Sequence, residues 1–474
     1  MAVHLTPDED HLASDRTRTG LVMEAVRRKI TTRAVAPGER LPSIRDLARS
    51  LQVSPSTVVE AYDRLAAEGL IYARRGAGFY VAQSTTPFTL ADIAPRLERA
   101  VDPLWVSRQS LEAEAGTLMP GCGWLPPSWL PQEGLRRAVR KLARREDAVL
   151  GNYGHPRGHP ALRTTLARLA ADEGLPVDGD QILLTGSGTQ ALDLVCRMLL
   201  RAGDTVLVDD PCYFNFLALL RAHRVRVVGV PYTETGPDVA AFDAAVREHK
   251  PRLYLTNSAL HNPTGATLSA ATAHRVLKIA VENGLVIVED DIFAALEPEP
   301  SPRLALLDGL ESVIRVGSYS KTLSAAARCG YVMAKAAWIE ALIDLQVATC
   351  FAGASPVAAD LVFTTLAEGA YRRHVADLRR RLATAQRHAA TRLERLGVVP
   401  RLMPRGGLFL WCRLPDGLQA TNVAQAALRS GVVLAPGNVF SISQTASDLM
   451  RFNVAQMSNP RIYEVLGEAM RAAR

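Results

Sequence analysis

The stretch GSYSKTLSAAARCG, Gly317–Gly330, holds one lysine, Lys321, with Ser318 and Ser320 before it and Arg328 seven residues on. An apolar run, SVIRV (312–316), leads into it. The lysine therefore lies just past the carboxyl end of a predicted strand. In a largely parallel sheet, ligands bind beyond those ends. A lysine amine held near a carbonyl forms a Schiff base, and Ser318, Ser320 and Arg328 suit a phosphate.

Six more short apolar runs surround this one: QILLT (181–185), TVLVD (205–209), RVVGV (226–230), RLYLT (252–256), LVIVE (285–289) and GYVMA (330–334). They alternate with helical patterns, which predicts an α/β domain with a largely parallel sheet. Four of them end in residues of related chemistry. Gly186-Ser187-Gly188-Thr189-Gln190 follows QILLT and opens an apolar helix, whose free N–H groups suit an anion. Tyr213 follows TVLVD and can stack on a flat ring. RLYLT is followed by a turn, Asn262-Pro263-Thr264-Gly265, that presents an amide. Glu289-Asp290-Asp291 closes LVIV, and a carboxylate at a buried strand end needs a cation such as a protonated pyridine nitrogen. Adjacent strand residues face opposite ways, so only one of the two aspartates should reach the ligand. Each signal alone is a common turn or core feature. Taken together with Lys321 they describe a planar ring carrying a phosphate, an aldehyde, a phenolic oxygen and a basic nitrogen: pyridoxal 5′-phosphate.

The domain resembles the fold-type I aminotransferases. The resemblance implies that Lys321 forms the Schiff base and that Asp290 pairs with the pyridine nitrogen, these two being the catalytic pair. Asn262 would meet the ring 3-hydroxyl and Tyr213 would stack. Ser187, Gly188, Thr189, Ser318, Ser320 and Arg328 would hold the phosphate. Tyr153, with Gly158 and Arg163 in NYGHPRGHPALR, would reach a partner subunit's cofactor, and Arg451 in LMRFNVA would clamp a substrate or effector carboxylate. MPRGGLFLW resembles the start of the small C-terminal α+β subdomain. One departure stands out. The family carries a tyrosine two or three residues after the aspartate, where this chain has Ile292 and Phe293. That bears on transamination more than on cofactor binding.

The N-terminal segment reads differently. In RLPSIRDLARSLQVSPSTVVEAYDRLAAEGLIYARRGAGFYV, Ser43 and Ser54 can cap two helices and Pro55 suits the first helical position. Ile44, Leu47, Ala48 and Leu51 form one apolar face, and Val58, Ala61, Tyr62 and Leu65 another. Two short strands around Arg75-Gly76-Ala77-Gly78 complete a winged helix-turn-helix, with GLVMEAVRRKI as the first helix. The module resembles the GntR transcription factors, and its fusion to the second domain resembles their MocR subfamily. The resemblance implies that Arg45, Ser54, Ser56 and Thr57 meet phosphates or base edges, and that Arg75 and Gly76 approach the minor groove. Val59 stands where other GntR subfamilies carry an arginine. Charge agrees: residues 16–84 hold 12 Lys/Arg against 6 Asp/Glu, so +6 of the chain's +7 sits there.

At 474 residues the chain is long enough for two or three domains. The expected division is a disordered N-terminus over 1–15, a winged helix over 16–82, a linker over 83–116 and a cofactor domain over 117–474, its small subdomain at about 370–474. No apolar stretch approaches the length of a membrane span, and the acidic start lacks the apolar core of a secretory signal. Six cysteines without a CxxC pair predict reduced thiols in a cytoplasmic protein and no metal site. The expected function is a homodimeric DNA-binding transcriptional regulator. It would sense a small amine, an amino acid or pyridoxal phosphate itself through Lys321. A working aminotransferase with a DNA-binding appendage is the alternative, and a regulator with an inert dimerisation scaffold a third reading.

Overall fold

The computed structural model describes residues 17–31, 35, 38–74, 77–82, 103–145 and 150–474. The expectations for 1–15 and for Arg75 and Gly76 lie outside the described residues. The chain divides into two compact units at residues 89 and 90, and each is treated by itself.

In the first unit three helices, Arg18–Thr31, Ile44–Leu51 and Pro55–Ala67, precede an antiparallel hairpin of β1 (Ile71–Arg74) and β2 (Gly78–Val81). Both expected caps form. Ser43 Oγ accepts from Asp46 N at 3.2 Å, and Ser54 Oγ accepts from Thr57 N at 3.2 Å, with Pro55 opening the helix. The apolar faces of the helices meet in one core that includes Val22, Leu47, Val58, Tyr62, Leu65 and Ile71. The Tyr62 hydroxyl, buried within it, donates to Pro42 O at 2.9 Å.

All seven apolar runs become strands of the second unit: β3 (Ile182–Thr185), β4 (Thr205–Asp210), β5 (Arg226–Thr233), β7 (Leu253–Thr256), β8 (Val286–Asp290), β9 (Val313–Ser318) and β10 (Gly330–Met333). With the short β6 (Gly236–Pro237) they form one sheet in the order β3-β10-β9-β8-β7-β4-β5-β6. The pairs among β9, β8, β7, β4 and β5 are parallel; β10 runs antiparallel to both its neighbours. Alternation places successive residues on opposite faces. Ile287 and Tyr254 pack with the helices Pro160–Asp172 and Ala270–Glu282 on one face. Val288 and Leu255 pack with Gly188–Leu199, Phe214–Ala222 and Ala336–Cys350 on the other.

A smaller layer begins with the helix Ala370–Glu394. It packs on a four-stranded sheet of β11 (Val399–Pro400), β12 (Phe409–Arg413), β13 (Ala435–Pro436) and β14 (Leu449–Asn453), ordered β11-β12-β14-β13. Within the stretch read as a part-helical linker over 83–116, Pro103–Leu111 forms a helix. Val106 of that helix is buried against Phe214, Trp411 and Phe440, so burying its apolar side chain ties the helix to this unit. No described helix is long and apolar enough to cross a membrane.

Candidate functional site

A cavity of about 350 Å³ opens at the carboxyl ends of β3, β7, β8 and β9. Ser187, Gly188, Thr189, Tyr213, Asn262, Asp290, Ser318, Ser320, Lys321 and Arg328 all line it. Strand ends far apart in the chain are thus brought to one place, and this is a geometric property of a parallel sheet.

Lys321 Nζ donates to Gly123 O at 2.6 Å. Burial pushes its pKa down to about 8. Asp290 ends β8 on the face that carries Val288, and its carboxyl accepts from Ile292 N at 3.2 Å. Burial pushes that carboxyl up to about 7. Asp291 turns to the opposite side, where Arg303 Nε donates to it at 2.6 Å and Arg315 Nε at 2.9 Å. One aspartate of the pair faces the cavity, as strand alternation requires.

Ser187 caps the helix Gly188–Leu199 by accepting from Gln190 N at 3.0 Å. Its oxygen accepts there, so its O–H proton can donate to an anion together with the backbone N–H groups at the helix start. A Cβ at Gly330 would lie 2.5 Å from the Ser187 carbonyl carbon and 2.6 Å from the Gly188 nitrogen, so glycine lets β10 approach the turn. Across from it Ser318 Oγ donates to Cys329 O at 3.1 Å and accepts from Ser320 N at 3.2 Å. Arg328, with φ of 46°, is held in the left-handed region at the cavity wall. A non-glycine residue kept there is strained, a feature that concentrates at functional positions.

Arg451 lies behind the cavity, in the middle of the small sheet. It is fully buried, with its guanidinium 4.3 Å from the Phe409 ring centroid and 4.8 Å from that of Phe440. Nη1 donates to Asn262 Oδ1 at 2.7 Å and Nη2 to Gly121 O at 2.6 Å, while Nε has no partner. Burial pushes this group down to about 10. Because the Asn262 oxygen accepts from Arg451, its amide NH₂ is left as the donor for the cavity. Tyr213 packs beside Phe214 and Phe216, at 5.0 and 5.4 Å between ring centroids.

Sequence reasoning missed three groups. Asn257 Oδ1 accepts from Asn262 N at 3.0 Å, and its Nδ2 donates to Asp290 O at 2.5 Å, locking the two ligand-facing residues together. Its position directly after RLYLT was a usable signal. Gly123 and Trp124 also line the cavity, and no periodicity pointed to them. Tyr153 is not in the cavity; it is 80 % exposed and meets the Phe351 ring edge-on at 4.8 Å. Ile292 and Phe293, at the positions where the resemblance leads one to expect a tyrosine, line the wall, and among the described lining residues Tyr213 is the one phenol.

The donor set fits pyridoxal 5′-phosphate. Among the described residues, a buried carboxyl and a buried guanidinium each lack an opposite charge at hydrogen-bond distance, and a helix start, a lysine amine and the Asn262 amide line one cavity. Unpaired buried charges of this kind persist where a ligand supplies the partner.

In the first unit, Arg45, Ser54 and Ser56 are exposed and Thr57 is half-buried. Ser54 Oγ lies 2.8 Å from Ser56 Oγ and 2.7 Å from Thr57 Oγ1. Val59 is 39 % exposed on the same helix, on a shallow groove with Ser56 and Arg64.

Two family models match. One, bacterial regulatory proteins of the gntR family, covers residues 19–81. The other, aminotransferase class I and II, covers residues 130–468. The uncharacterized HTH-type transcriptional regulator YdcR of Escherichia coli is 30 % identical over 443 residues, spanning 91 % of this chain and 94 % of its own length. The 2-aminoadipate transaminase of Thermus thermophilus is 30 % identical over 361 residues, 74 % of this chain and 89 % of its own. Among solved structures, the α-aminoadipate aminotransferase LysN of T. thermophilus, complexed with N-(5′-phosphopyridoxyl)-L-leucine, superposes with a TM-score of 0.70 at 28 % identity. The match covers 78 % of this chain and 95 % of that one. The chain belongs to the MocR subfamily of GntR regulators, a winged helix-turn-helix fused to a fold-type I domain of the class I and II aminotransferase family.

Proposed function

We propose that this DNA-binding regulator uses its aminotransferase-type domain as a sensor, with pyridoxal phosphate held at Lys321 and a small amine, an amino acid or the free cofactor as the signal. The observation that carries the reading is the placement of the Lys321 amine in one cavity with the buried Asp290 carboxyl and the buried Asn262 amide. Bound pyridoxal phosphate supplies an aldehyde for an amine and a ring that withdraws electrons. Asp290 would keep the ring nitrogen protonated. Asn262 would donate to the ring oxygen from an amide fixed by Arg451 and Asn257. The start of the helix Gly188–Leu199, with Ser320 and Arg328, would hold the phosphate. A signal that displaces the lysine linkage shifts the domain between two states, and only differential affinity for those states can change DNA binding. We infer a homodimer acting in the cytoplasm on double-stranded DNA, with Tyr153 reaching the partner subunit's cavity.

The competing reading is a turning-over aminotransferase. Retention of Lys321, Asp290, Asn262 and Arg451 around one site favours it, as does the identity to the 2-aminoadipate transaminase; Ile292 and Phe293 speak against it. The test is to follow visible absorbance and product release while adding amines, amino acids and keto acids. A spectral shift without turnover supports the sensor. Interconversion over many turnovers establishes the enzyme.

A pH dependence follows from the lysine. Its neutral form is the nucleophile, so with a pKa of about 8 roughly one amine in ten is reactive at pH 7. Attachment of added cofactor to cofactor-free protein should accelerate from pH 7 to 9 and level off, and stopped-flow absorbance measures this. An apparent midpoint near that of a free lysine would overturn the assignment.

For the DNA face, the logarithm of affinity should fall linearly with that of salt concentration. Arg45→Ala should reduce the slope by about 1 if the arginine meets a phosphate. An unchanged slope in fluorescence anisotropy excludes that contact.

A further inference from the structure

We infer that the aminotransferase-type unit carries a second anion site, separate from the Lys321 cavity, for a small phosphate ester with a flat organic body. It lies on the outer face of the helix Ala370–Glu394. That helix has seven arginines and two acidic residues, Asp377 and Glu394, and Arg380 pairs with the first of them. Beside it is a groove of about 480 Å³, within the size range of small-molecule sites. Val454 and Met457 contribute to its floor, and Trp129 and Tyr463 stand at its sides.

The arginines of this groove are held in a specific way. Arg381 lies 4.1 Å from the Trp129 ring centroid and Arg392 lies 5.2 Å from that of Tyr463. Neither has a carboxylate within 4 Å among the described residues. A guanidinium laid on an aromatic ring keeps the N–H groups on its edge free, and that edge matches phosphate oxygens. An ordinary solvated helix face mixes charge signs and lacks concavity. This one is cationic, concave and floored by apolar side chains, so it selects an anion with something flat or apolar to cover.

The groove also has a mechanical link to the cofactor cavity. Asn453 Nδ2 donates to Trp124 O at 2.8 Å and Gln456 Nε2 donates to the same oxygen at 3.2 Å. Trp124 lines the Lys321 cavity, whereas Val454 and Met457 line the groove. The turn Val454–Gln456 therefore touches both sites, and an occupant of the groove would be felt beside Lys321.

The experiment is calorimetric titration of full-length, cofactor-loaded protein with adenosine 5′-monophosphate and, in parallel, inorganic phosphate. Loading first removes the cofactor's own phosphate cradle from competition. The nucleotide should bind, with inorganic phosphate at least tenfold weaker. Arg381→Ala and Arg392→Ala should each weaken binding at least tenfold, while Arg387→Ala should leave it unchanged. The visible cofactor spectrum checks that every variant keeps its fold. Absence of nucleotide binding, binding that survives both substitutions, or equal affinity for inorganic phosphate would overturn the proposal. A third arm titrates a short DNA duplex. If the two substitutions reduce duplex binding while the nucleotide fails to bind, the arginines serve the DNA backbone instead and the small-ligand site is refuted.

Discussion

Lys321→Ala should abolish covalent attachment of the cofactor, leaving purified protein without the visible band of the loaded form. The Lys321 amine is the buried nucleophile at the strand ends, next to Asp290 and the helix start that would carry the phosphate. Alanine removes the nucleophile and one hydrogen bond, to Gly123 O at 2.6 Å. It also removes a group whose burial disfavours its charge, so the fold should tolerate the change. Phosphate and ring contacts remain, and dialysable cofactor binding should persist. The spectrum before and after dialysis, with Arg328→Ala as a comparison that retains attachment, measures the effect. A band that survives dialysis in the Lys321 variant would show that another amine carries the linkage.

Arg451→Met should separate stability from recognition. Both side chains are unbranched, and the site is a cage of Phe214, Phe409 and Phe440. A guanidinium pushed from 12.5 to about 10 by burial is disfavoured by about 3 kcal/mol. Removing it relieves that cost but leaves Asn262 Oδ1 and Gly121 O without their donors, at about 1–3 kcal/mol each. The two effects offset, so the thermal midpoint should move little. Recognition should change far more. A charged hydrogen-bonded contact is worth about 1.5–3 kcal/mol, so the response to amino acids should weaken roughly 10- to 100-fold. Amines without a carboxylate should respond as before. Equal losses for both classes would mean that Arg451 only positions Asn262. Each Nη makes one contact, to Asn262 or Gly121, and Nε makes none, so N–H groups remain with which Arg451 can meet a carboxylate.

What the sequence disclosed follows from local periodicity. Alternating and continuous apolar runs became strands, serines ahead of apolar faces became helix caps, and residues just past strand ends became cavity walls. Asp290 and Asp291 illustrate the reach of such rules: opposite faces of one strand separated a cavity carboxyl from one held by Arg303 and Arg315. The parts that stayed hidden depend on contacts distant in the chain. Gly123 meets Lys321 across 198 positions and Arg451 meets Gly121 across 330, and neither pairing leaves a mark on spacing. Asn257 stands directly after RLYLT, where a ligand-facing residue is expected, but that its side chain bridges Asn262 and Asp290 shows only in the fold. The linker's amphipathic pieces allowed a helix such as Pro103–Leu111, but its docking through the buried Val106 depends on Phe214, Trp411 and Phe440, far along the chain.

The most direct test of a sensor domain joined to a DNA reader is DNA affinity itself. A duplex would be selected from a random pool by the wild-type protein. Its binding would then be measured by anisotropy at fixed salt, for cofactor-free and cofactor-loaded protein, and after adding each amine that shifts the spectrum. Cofactor loading or one such amine should change the affinity at least fivefold in wild type, about 1 kcal/mol of coupling, and not in the Lys321→Ala variant. Identical affinities in all states, with an intact visible spectrum, would contradict the account and leave the cofactor domain without a role in DNA binding.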